Sequence, residues 1–328
     1  MRARPLAAAA LLAGAAALVP RCTLGPGAGG PSVSCISYGT LHMGRDVGTP
    51  EGVLALLLAA QAAGITTLDT SDVYSMMPEL LGQALQLQPG LREQFEIICK
   101  TDIVPALGGT FGFDTGSAYD GSCPHLNAAA ARFLAAFNST YLDVLMFHHM
   151  DYLLDVDAFA ACATALRASG AVRHFGASNF DKDTFRLVSA KLPLVANEIE
   201  LSVLAPTAFT DGTVSAHYAM GATILSWGPV GGDAWGYANR LFKVGSLDSS
   251  QHNQRLMTAL KTVAAQLATT PDVVCVAWLL RHPSKINPII GTKNATRIAA
   301  QAAAVGVAAQ MTQQHWYHIA DAAGIKIW

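Results

Sequence analysis

The chain lacks a strong net charge and lacks any basic run interleaved with aromatic residues. Its 328 residues carry a formal charge of −2 at pH 7. The positive field that would attract nucleic acid is therefore missing, and the sequence does not predict a nucleic-acid partner. No internal repeat is present either. Because 52% of the residues are apolar, a sizeable core can form, and the length suits one α/β barrel or two ordinary domains.

Cysteine motifs that would define a metal or disulfide scaffold are absent as well. No CxxC pair occurs among the six cysteines. Cys22 lies in the N-terminal leader described below, and setting it aside leaves an odd number. An odd count without CxxC spacing argues against a disulfide framework and against a zinc knuckle. Cys99 lies in an apolar strand-like run, which favours a small buried hydrophobe.

No acidic residue occurs before Asp46, and the first two dozen residues differ from the rest of the chain. Arg2 and Arg4 precede an apolar run over 6–19. This run is too short for a standard membrane span and resembles the apolar core of a cleavable signal. An arginine-bearing, alanine-rich leader also fits an organelle transit peptide, and a disordered or mis-assigned start is the third interpretation.

A glycine- and proline-rich linker over 25–31 follows this run. We therefore predict a leader and linker over 1–31, dispensable for folding, and a barrel domain over 32–328 without a membrane segment. The leader indicates organelle import or secretion, and otherwise the protein would be cytoplasmic.

From residue 32 onward, short apolar runs alternate with amphipathic helices. Near-continuous apolar runs such as 144–147 predict parallel strands that are buried on both faces. The predicted strands are 33–38, 65–69, 97–100, 142–148, 173–178, 195–199, 223–227 and 287–290. The predicted helices are 50–63, 157–169, 182–192, 271–281, 295–304 and 313–322. Eight strands alternating with helices predict a (β/α)8 TIM barrel with extra helices.

Four polar residues lie at or just past the ends of predicted strands: Asp69, Tyr74, Lys100 and His148. In a barrel of parallel strands these ends converge on one mouth, where chemistry is usually located. Tyr74 would protonate a carbonyl, with its ordinary pKa of about 10 lowered by Lys100. Asp69 would hold the lysine, and His148 would point a ring nitrogen at the carbonyl oxygen. The alternative is a structural ion pair beside an ordinary buried tyrosine.

A metal-dependent hydrolase is the competing interpretation for a barrel of this kind. His148, His149 and Asp151 are close in sequence. Adjacent strand residues point to opposite faces, so the two histidines would not share a metal. No His-x-His motif closes the first strand, and the sixth predicted strand ends without histidine. We therefore predict no metal.

Two segments that flank the eighth predicted strand could bind phosphate. Residues 228–233 are glycine-rich and follow the seventh strand, although such a loop can also be a simple turn. Residues 291–297 lead into a helix and offer Thr292, Lys293 and Arg297 to an anion, although they can equally be a solvated first turn. The glycine-rich stretch 108–112 is interpreted as a loop.

Several segments together resemble the aldo-keto reductase family, and most closely its bacterial-type oxidoreductase branch. They are 64–74 (GITTLDTSDVY), 141–148 (YLDVLMFH), 172–180 (VRHFGASNF) and 288–291 (PIIG). The resemblance covers roughly residues 33–323 in the right order. It implies a (β/α)8 barrel that binds NADPH without a Rossmann fold, and hydride transfer to a carbonyl coupled to protonation of its oxygen.

The resemblance also implies roles for individual residues. Its catalytic tetrad falls on Asp69, Tyr74, Lys100 and His148, with Tyr74 as the acid. The implied cofactor contacts are Ser178, Asn179 and Glu198 at the carboxamide, Trp227 stacked on the nicotinamide, Arg240 and Leu241 in the pyrophosphate-side loop, Thr292, Lys293 and Arg297 at the 2′-phosphate, and Gln301 at the adenine. Trp227 can otherwise be a core aromatic.

Three positions depart from the family pattern. Glu198 replaces the usual glutamine, and an ionised glutamate there would favour the positively charged NADP⁺ ring. Residues 75–77 replace the glycine-rich turn that usually follows the catalytic tyrosine. Residues 102–124, which are expected over the barrel mouth, diverge from the family pattern, so the substrate of a family member cannot be assigned to this chain.

The sequence predicts an NADPH-dependent reductase of a small aldehyde or ketone. The alternatives are a non-enzymatic NADPH-binding regulatory subunit and, third, a metal-dependent TIM-barrel hydrolase. The physiological substrate, the favoured direction and the oligomeric state do not follow from the sequence.

Overall fold

The computed structural model of the chain describes residues 18–74, 76–105, 117–231 and 251–326. The strands are β1 Arg21–Thr23, β2 Ser32–Ser34, β3 Ser37–Gly39, β4 Thr67–Ser71, β5 Glu96–Thr101, β6 Ile103–Pro105, β7 Ser117–Tyr119, β8 Leu142–Phe147, β9 Val172–Ser178, β10 Leu194–Glu200, β11 Thr223–Trp227 and β12 Asn287–Ile290. Eight of them close into a barrel in the order β3-β4-β5-β8-β9-β10-β11-β12. All neighbours in this barrel are parallel. The predicted TIM barrel is confirmed.

Helices alternate with the strands as predicted, although six of the twelve described helices were not among those predicted from the sequence. The twelve described helices are α1 Met43–Asp46, α2 Pro50–Ala62, α3 Met77–Gln86, α4 Cys123–Phe137, α5 Val156–Ala168, α6 Lys182–Ser189, α7 Thr213–Met220, α8 Gln251–Gln266, α9 Pro271–Leu280, α10 Ala295–Ala302, α11 Ala304–Gln310 and α12 Gln313–Ala322. Helix α2 begins where it does because of its local residues. Thr49 Oγ1 caps the helix by accepting a hydrogen bond from the Gly52 amide at 3.2 Å, and Pro50 occupies the first turn.

Apolar side chains from the strands fill the barrel interior. Ile98, Val144, Val195, Leu225 and Ile289 form one buried cluster that also includes Leu24. Each of these side chains comes from a different barrel strand except Leu24, which precedes the barrel. A packed interior of this kind leaves the chemistry to the loops at the carboxyl ends of the strands.

The first predicted strand, 33–38, is wrong as one element, because the structure divides it into β2 and β3. Strand β2 pairs antiparallel with β1, and fully buried Leu24 follows β1. The Gly25 amide donates to Thr223 Oγ1 at 3.1 Å, at the start of β11. Residues 18–31 therefore pack at the amino end of the barrel, although they were predicted as leader and linker. A separable leader over 1–17 lies outside the described residues and stays a prediction.

The prediction against disulfides is wrong. Cys22 is bonded to Cys35 across the β1–β2 hairpin, and Cys123 at the start of α4 is bonded to Cys162 in α5. The cysteine count misled because Cys22 was set aside with the leader, which made the remainder odd. Cys99 and Cys275 are free and buried, in agreement with the core role predicted for Cys99. Organelle import or secretion stays a prediction.

No single helix among the described residues is long and apolar enough to cross a membrane. Helices α8 and α9 reach that length and apolarity only when they are taken together, and they are bent by 87° relative to each other.

Candidate active site

The four predicted catalytic residues come together at the carboxyl ends of neighbouring strands. Asp69 lies in β4 and Lys100 in β5, whereas Tyr74 follows β4 and His148 directly follows β8. Asp69, Lys100 and His148 are buried. Strands β4, β5 and β8 are adjacent in the barrel, so residues far apart in sequence share one mouth.

Lys100 is the centre of the charge network. Its Nζ donates to Asp69 Oδ2, and also to Glu198 Oε1 at 2.7 Å. The lysine side chain has no solvent exposure, so burial opposes its charge. The two carboxylates outweigh that burial and hold the pKa of Lys100 well above its ordinary value. Lys100 is therefore a permanent cation at neutral pH.

Glu198, which replaces the glutamine usual in the family, carries a strongly perturbed carboxyl group. Burial and the neighbouring Asp69 charge raise its pKa to about 8, although Lys100 acts in the opposite direction. Its Oε2 is buried and has no hydrogen-bond partner in the described part of the chain. The raised pKa favours the protonated carboxyl near neutral pH, and the expectation of an ionised glutamate beside a nicotinamide ring stays a prediction.

Tyr74 lies between the lysine and the histidine. Lys100 Nζ is 5.4 Å from the centroid of the Tyr74 ring, and the His148 ring lies edge-on to it with centroids 5.8 Å apart. The predicted lowering of its pKa is wrong for this structure. Burial of the phenol raises the pKa above its ordinary value, and the nearby lysine only partly opposes this effect. The hydroxyl therefore keeps its proton at neutral pH and is available as an acid.

His148 is held by hydrogen bonds on both its ring and its backbone. Its Nδ1 lies 2.9 Å from Ser71 Oγ, and its backbone amide donates to the Thr101 carbonyl at 2.8 Å. Burial and the charge of Lys100 keep its pKa well below the ordinary value, so the ring is neutral.

The prediction that His148 and His149 point to opposite faces is wrong. Their rings stack with centroids 5.4 Å apart and an interplanar angle of 19°. Strand β8 ends at Phe147, so the alternation of a strand does not extend to either histidine. Among the described residues, however, no group of three or more histidine, cysteine, aspartate or glutamate side chains could hold a metal ion.

The residues predicted around the nicotinamide form one hydrogen-bonded group at the mouth. Trp227 Nε1 donates to Asn179 Oδ1 at 3.1 Å, and Asn179 Nδ2 donates to the His148 carbonyl at 3.0 Å. Ser178 Oγ donates to the Glu198 carbonyl at 3.0 Å. Strand ends β9, β10 and β11 thus bring Ser178, Asn179, Glu198 and Trp227 beside the tetrad, while their contacts with a cofactor stay predictions.

The residues predicted at the 2′-phosphate lie at the start of α10. Asn294 caps this helix by accepting from the Arg297 amide at 3.1 Å. Lys293 is ion-paired with Asp46, whereas the exposed Arg297 forms no salt bridge with any described residue. The Tyr38 hydroxyl donates to the Thr292 carbonyl at 2.9 Å.

Other predicted positions are less accessible or lie outside the described part of the chain. Gln301 is 3% exposed, and its amide donates to Asp272 Oδ2 at 3.3 Å, so its adenine contact stays a prediction. Arg240 and Leu241, Ser75 and the loop 108–112 lie outside the described residues. Of the glycine-rich segment 228–233, residues 228–231 are described and form a turn in which the Gly231 amide donates to the Gly228 carbonyl at 2.9 Å.

Sequence reasoning missed a set of polar residues behind His148. Ser71, Asp72 and Thr101 are buried and linked to one another by side-chain hydrogen bonds. The sequence could have indicated these residues. Each lies within three residues of a predicted catalytic side chain, and a polar side chain is costly to bury without a hydrogen-bond partner.

Comparisons with known proteins agree with this geometry. The profile of the Aldo/keto reductase family matches residues 35–323. The chain is 34% identical over 292 residues to the 6-dehydroglucose reductase of Agrobacterium fabrum, covering 88% of this chain and 93% of that protein. It is 31% identical over 309 residues to the 6-dehydroglucose reductase of Novosphingobium aromaticivorans, covering 90% and 94%.

A solved structure shares the fold at low sequence identity. The aldo-keto reductase of Bacillus halodurans in its holo form superposes with a TM-score of 0.77 and 18% identity, covering 94% of this chain and 98% of that chain.

Proposed function

The chain belongs to the aldo/keto reductase family, whose members reduce carbonyl compounds, and we propose that it does so with NADPH and with Tyr74 as the general acid. The observation that carries the proposal is the grouping of the partly buried Tyr74 with the buried Lys100, Asp69 and His148 at the barrel mouth. A buried lysine bonded to carboxylates beside a protonated phenol is a constellation for moving one proton.

The residues around the mouth fit a bound nicotinamide cofactor. Glu198 Oε2 is a buried oxygen that lacks a partner among the described residues, and in the protonated carboxyl it would donate a hydrogen bond to the carbonyl oxygen of a carboxamide. Trp227 offers an aromatic side chain at the end of β11, and Arg297 offers a guanidinium suited to a phosphate. When bound, the nicotinamide would supply hydride to the carbonyl carbon.

The protein's own residues would handle the proton. Tyr74 would donate its hydroxyl proton to the carbonyl oxygen and be left as a phenolate. Lys100 would stabilise that phenolate by its charge, and Asp69 holds the ammonium in place. A positioned acid of this kind contributes about 10²–10⁴ in rate.

A sugar-like aldehyde is the substrate class we propose to test first. Two relatives that cover most of this chain are named 6-dehydroglucose reductase. Those names describe the relatives, and the residues over the mouth diverge here, so simple aldehydes and ketones belong in the same panel.

The test is a carbonyl panel with NADPH and NADH, run on the wild-type protein and on Tyr74→Phe. We expect turnover by the wild type, a loss of about 10²–10⁴ in Tyr74→Phe and nearly unchanged NADPH binding, since the ring still packs. Tyr218→Phe, on the exposed surface of α7, is the matched control. Near-normal turnover by Tyr74→Phe would refute the acid assignment. NADPH binding without turnover of any carbonyl would favour the regulatory subunit, and activity abolished by chelators would favour the hydrolase.

A further inference from the structure

A chain of hydrogen bonds runs from His148 into the protein behind the mouth. Ser71 Oγ lies 2.9 Å from His148 Nδ1 and 3.3 Å from Asp72 Oδ1. Ser71 is fully buried, and Asp72 is 9% exposed. The serine hydroxyl is therefore the only described side-chain group that bridges the ring of the histidine and this carboxyl.

The second oxygen of Asp72 is held separately. Thr101 Oγ1 donates to Asp72 Oδ2 at 2.5 Å and lies 3.1 Å from His125 Nε2. A hydroxyl has one proton, so Thr101 gives it to Asp72 and accepts from His125. Because Oδ2 is kept as an acceptor, a proton that binds to Asp72 occupies Oδ1, the oxygen facing Ser71.

The single proton of Ser71 allows two arrangements of this chain. When Asp72 is ionised, Ser71 donates to Oδ1 and accepts from His148 Nδ1–H, which leaves Nε2 as an acceptor. When Asp72 is protonated, it donates to Ser71, and Ser71 donates to Nδ1, which places the ring proton on Nε2. In both arrangements the imidazole is neutral and all three groups are satisfied.

We propose that Asp72, acting through Ser71, selects the tautomer of His148 and thereby decides whether the histidine donates or accepts a hydrogen bond at the barrel mouth. Asp72 and Ser71 are positioning residues in this scheme. The catalytic meaning of the switch rests on the proposed carbonyl reduction, whereas the switch itself is a property of the protein alone.

The proton movement between the two arrangements is balanced. When Nε2 takes up a proton, Nδ1 passes its own proton to Ser71 Oγ, and the hydroxyl proton of Ser71 passes to Asp72 Oδ1. The reverse movement returns a proton to the mouth. The Nε2–H form suits reduction, because it donates to a carbonyl oxygen, and the other form suits oxidation of an alcohol.

The charges around the chain are compatible with this switch. Burial raises the pKa of Asp72, and Thr101, His125 and Arg132 act in the opposite direction. Arg132 Nη1 donates to the Asp72 carbonyl at 3.2 Å. Asp102, which follows β5, is also buried, and its pKa is raised. Since the pKa of His148 is lowered, the ring exchanges tautomers without becoming an imidazolium.

The test is ¹⁵N NMR of the histidine ring nitrogens in the cofactor-free protein as a function of pH, with His148 identified by the loss of its signals in His148→Gln. We expect the protonated nitrogen to change from Nε2 to Nδ1 as the pH rises, without an imidazolium signal. Ser71→Ala should abolish this change.

Asp72→Asn should lock the Nε2–H form at every pH, because its amide oxygen accepts from Thr101 and its NH₂ donates to Ser71. Asp181→Asn, at the exposed start of α6, is the control and should behave as the wild type.

A His148 tautomer that does not change with pH in the wild type, or that changes identically in both variants, would overturn the proposal. The measurement needs no substrate, and the wild type is compared only with His148→Gln to identify the signals. Its outcome is therefore independent of whether the carbonyl panel succeeds. If the protein reduces carbonyls, the rate of reduction by Asp72→Asn should no longer change with pH over the range in which the His148 tautomer changes in the wild type.

Discussion

Replacing Glu198 with glutamine should change how the free energy of unfolding depends on pH. The substitution keeps the shape of the side chain and the oxygen that accepts from Lys100 Nζ at 2.7 Å. It removes the proton that the buried carboxyl otherwise binds, and it replaces the unpartnered Oε2 with an NH₂ group. The perturbation therefore isolates one titrating group.

The magnitude follows from the pKa of Glu198, which is about 8 in the folded protein against an ordinary value of 4.5. The folded state binds this proton more tightly than the unfolded chain does. The stabilisation is complete below about pH 4.5 and is lost as the pH rises through about 8. A pKa difference of about 3.5, at about 1.36 kcal/mol for each pH unit, sets a ceiling of about 5 kcal/mol.

The assay is urea unfolding at pH 5, 7 and 9 at constant ionic strength. We expect Glu198→Gln to differ from the wild type by less than about 1 kcal/mol at pH 5 and to be more stable by several kcal/mol at pH 9. Glu93→Gln, an exposed carboxyl, is the control for loss of one negative charge. If the difference between Glu198→Gln and wild type is the same at all three pH values, Glu198 is not the buried titrating group described here.

Two further predictions concern the cofactor and the amino-terminal hairpin. Arg297→Ala should weaken NADPH binding about 10–100-fold, because a charge-assisted hydrogen bond contributes about 1.5–3 kcal/mol, and it should change NADH binding little. Lys293→Ala should weaken NADPH binding less, since Asp46 already pairs with Lys293. Equal losses for both cofactors in titrations would show that Arg297 does not bind the phosphate. Deleting residues 2–17 should leave unfolding unchanged, whereas deleting 2–31 should cost several kcal/mol, because it removes buried Leu24 and the Cys22–Cys35 bond. Equal unfolding midpoints for the two deletions would contradict the role of the hairpin.

The barrel was predictable because its signals are local. Apolar runs define the strands, and 223–227 and 287–290 match the structure at both ends. Helix α12 has the predicted bounds, and Pro50 and Pro271 begin helices as expected. The failures also have a physical reason. The strand predicted over 33–38 divides, and the helix predicted over 295–304 breaks at Ala303, because packing against distant segments overrides local pattern.

Disulfide pairing was the clearest case in which counting residues was insufficient. Whether two cysteines bond depends on their distance in the folded chain. Cys123 and Cys162 are 39 residues apart, and only the packing of α4 against α5 brings their Cα atoms within 5.7 Å.

The sequence by itself determined the fold class, the approximate positions of most barrel strands and the chemical types placed near their ends, including Asp69, Tyr74, Lys100 and His148. Only the tertiary structure decided which charges and donors surround these side chains. Closing the barrel brings the Glu198 carboxyl into contact with Lys100 Nζ and places Ser71 and Asp72 behind His148. It also surrounds the Tyr74 phenol with protein, so that the pKa of Tyr74 rises rather than falls. The cost of ionising a group depends on which charges, donors and solvent surround it, and those neighbours come from strands that are distant in the chain.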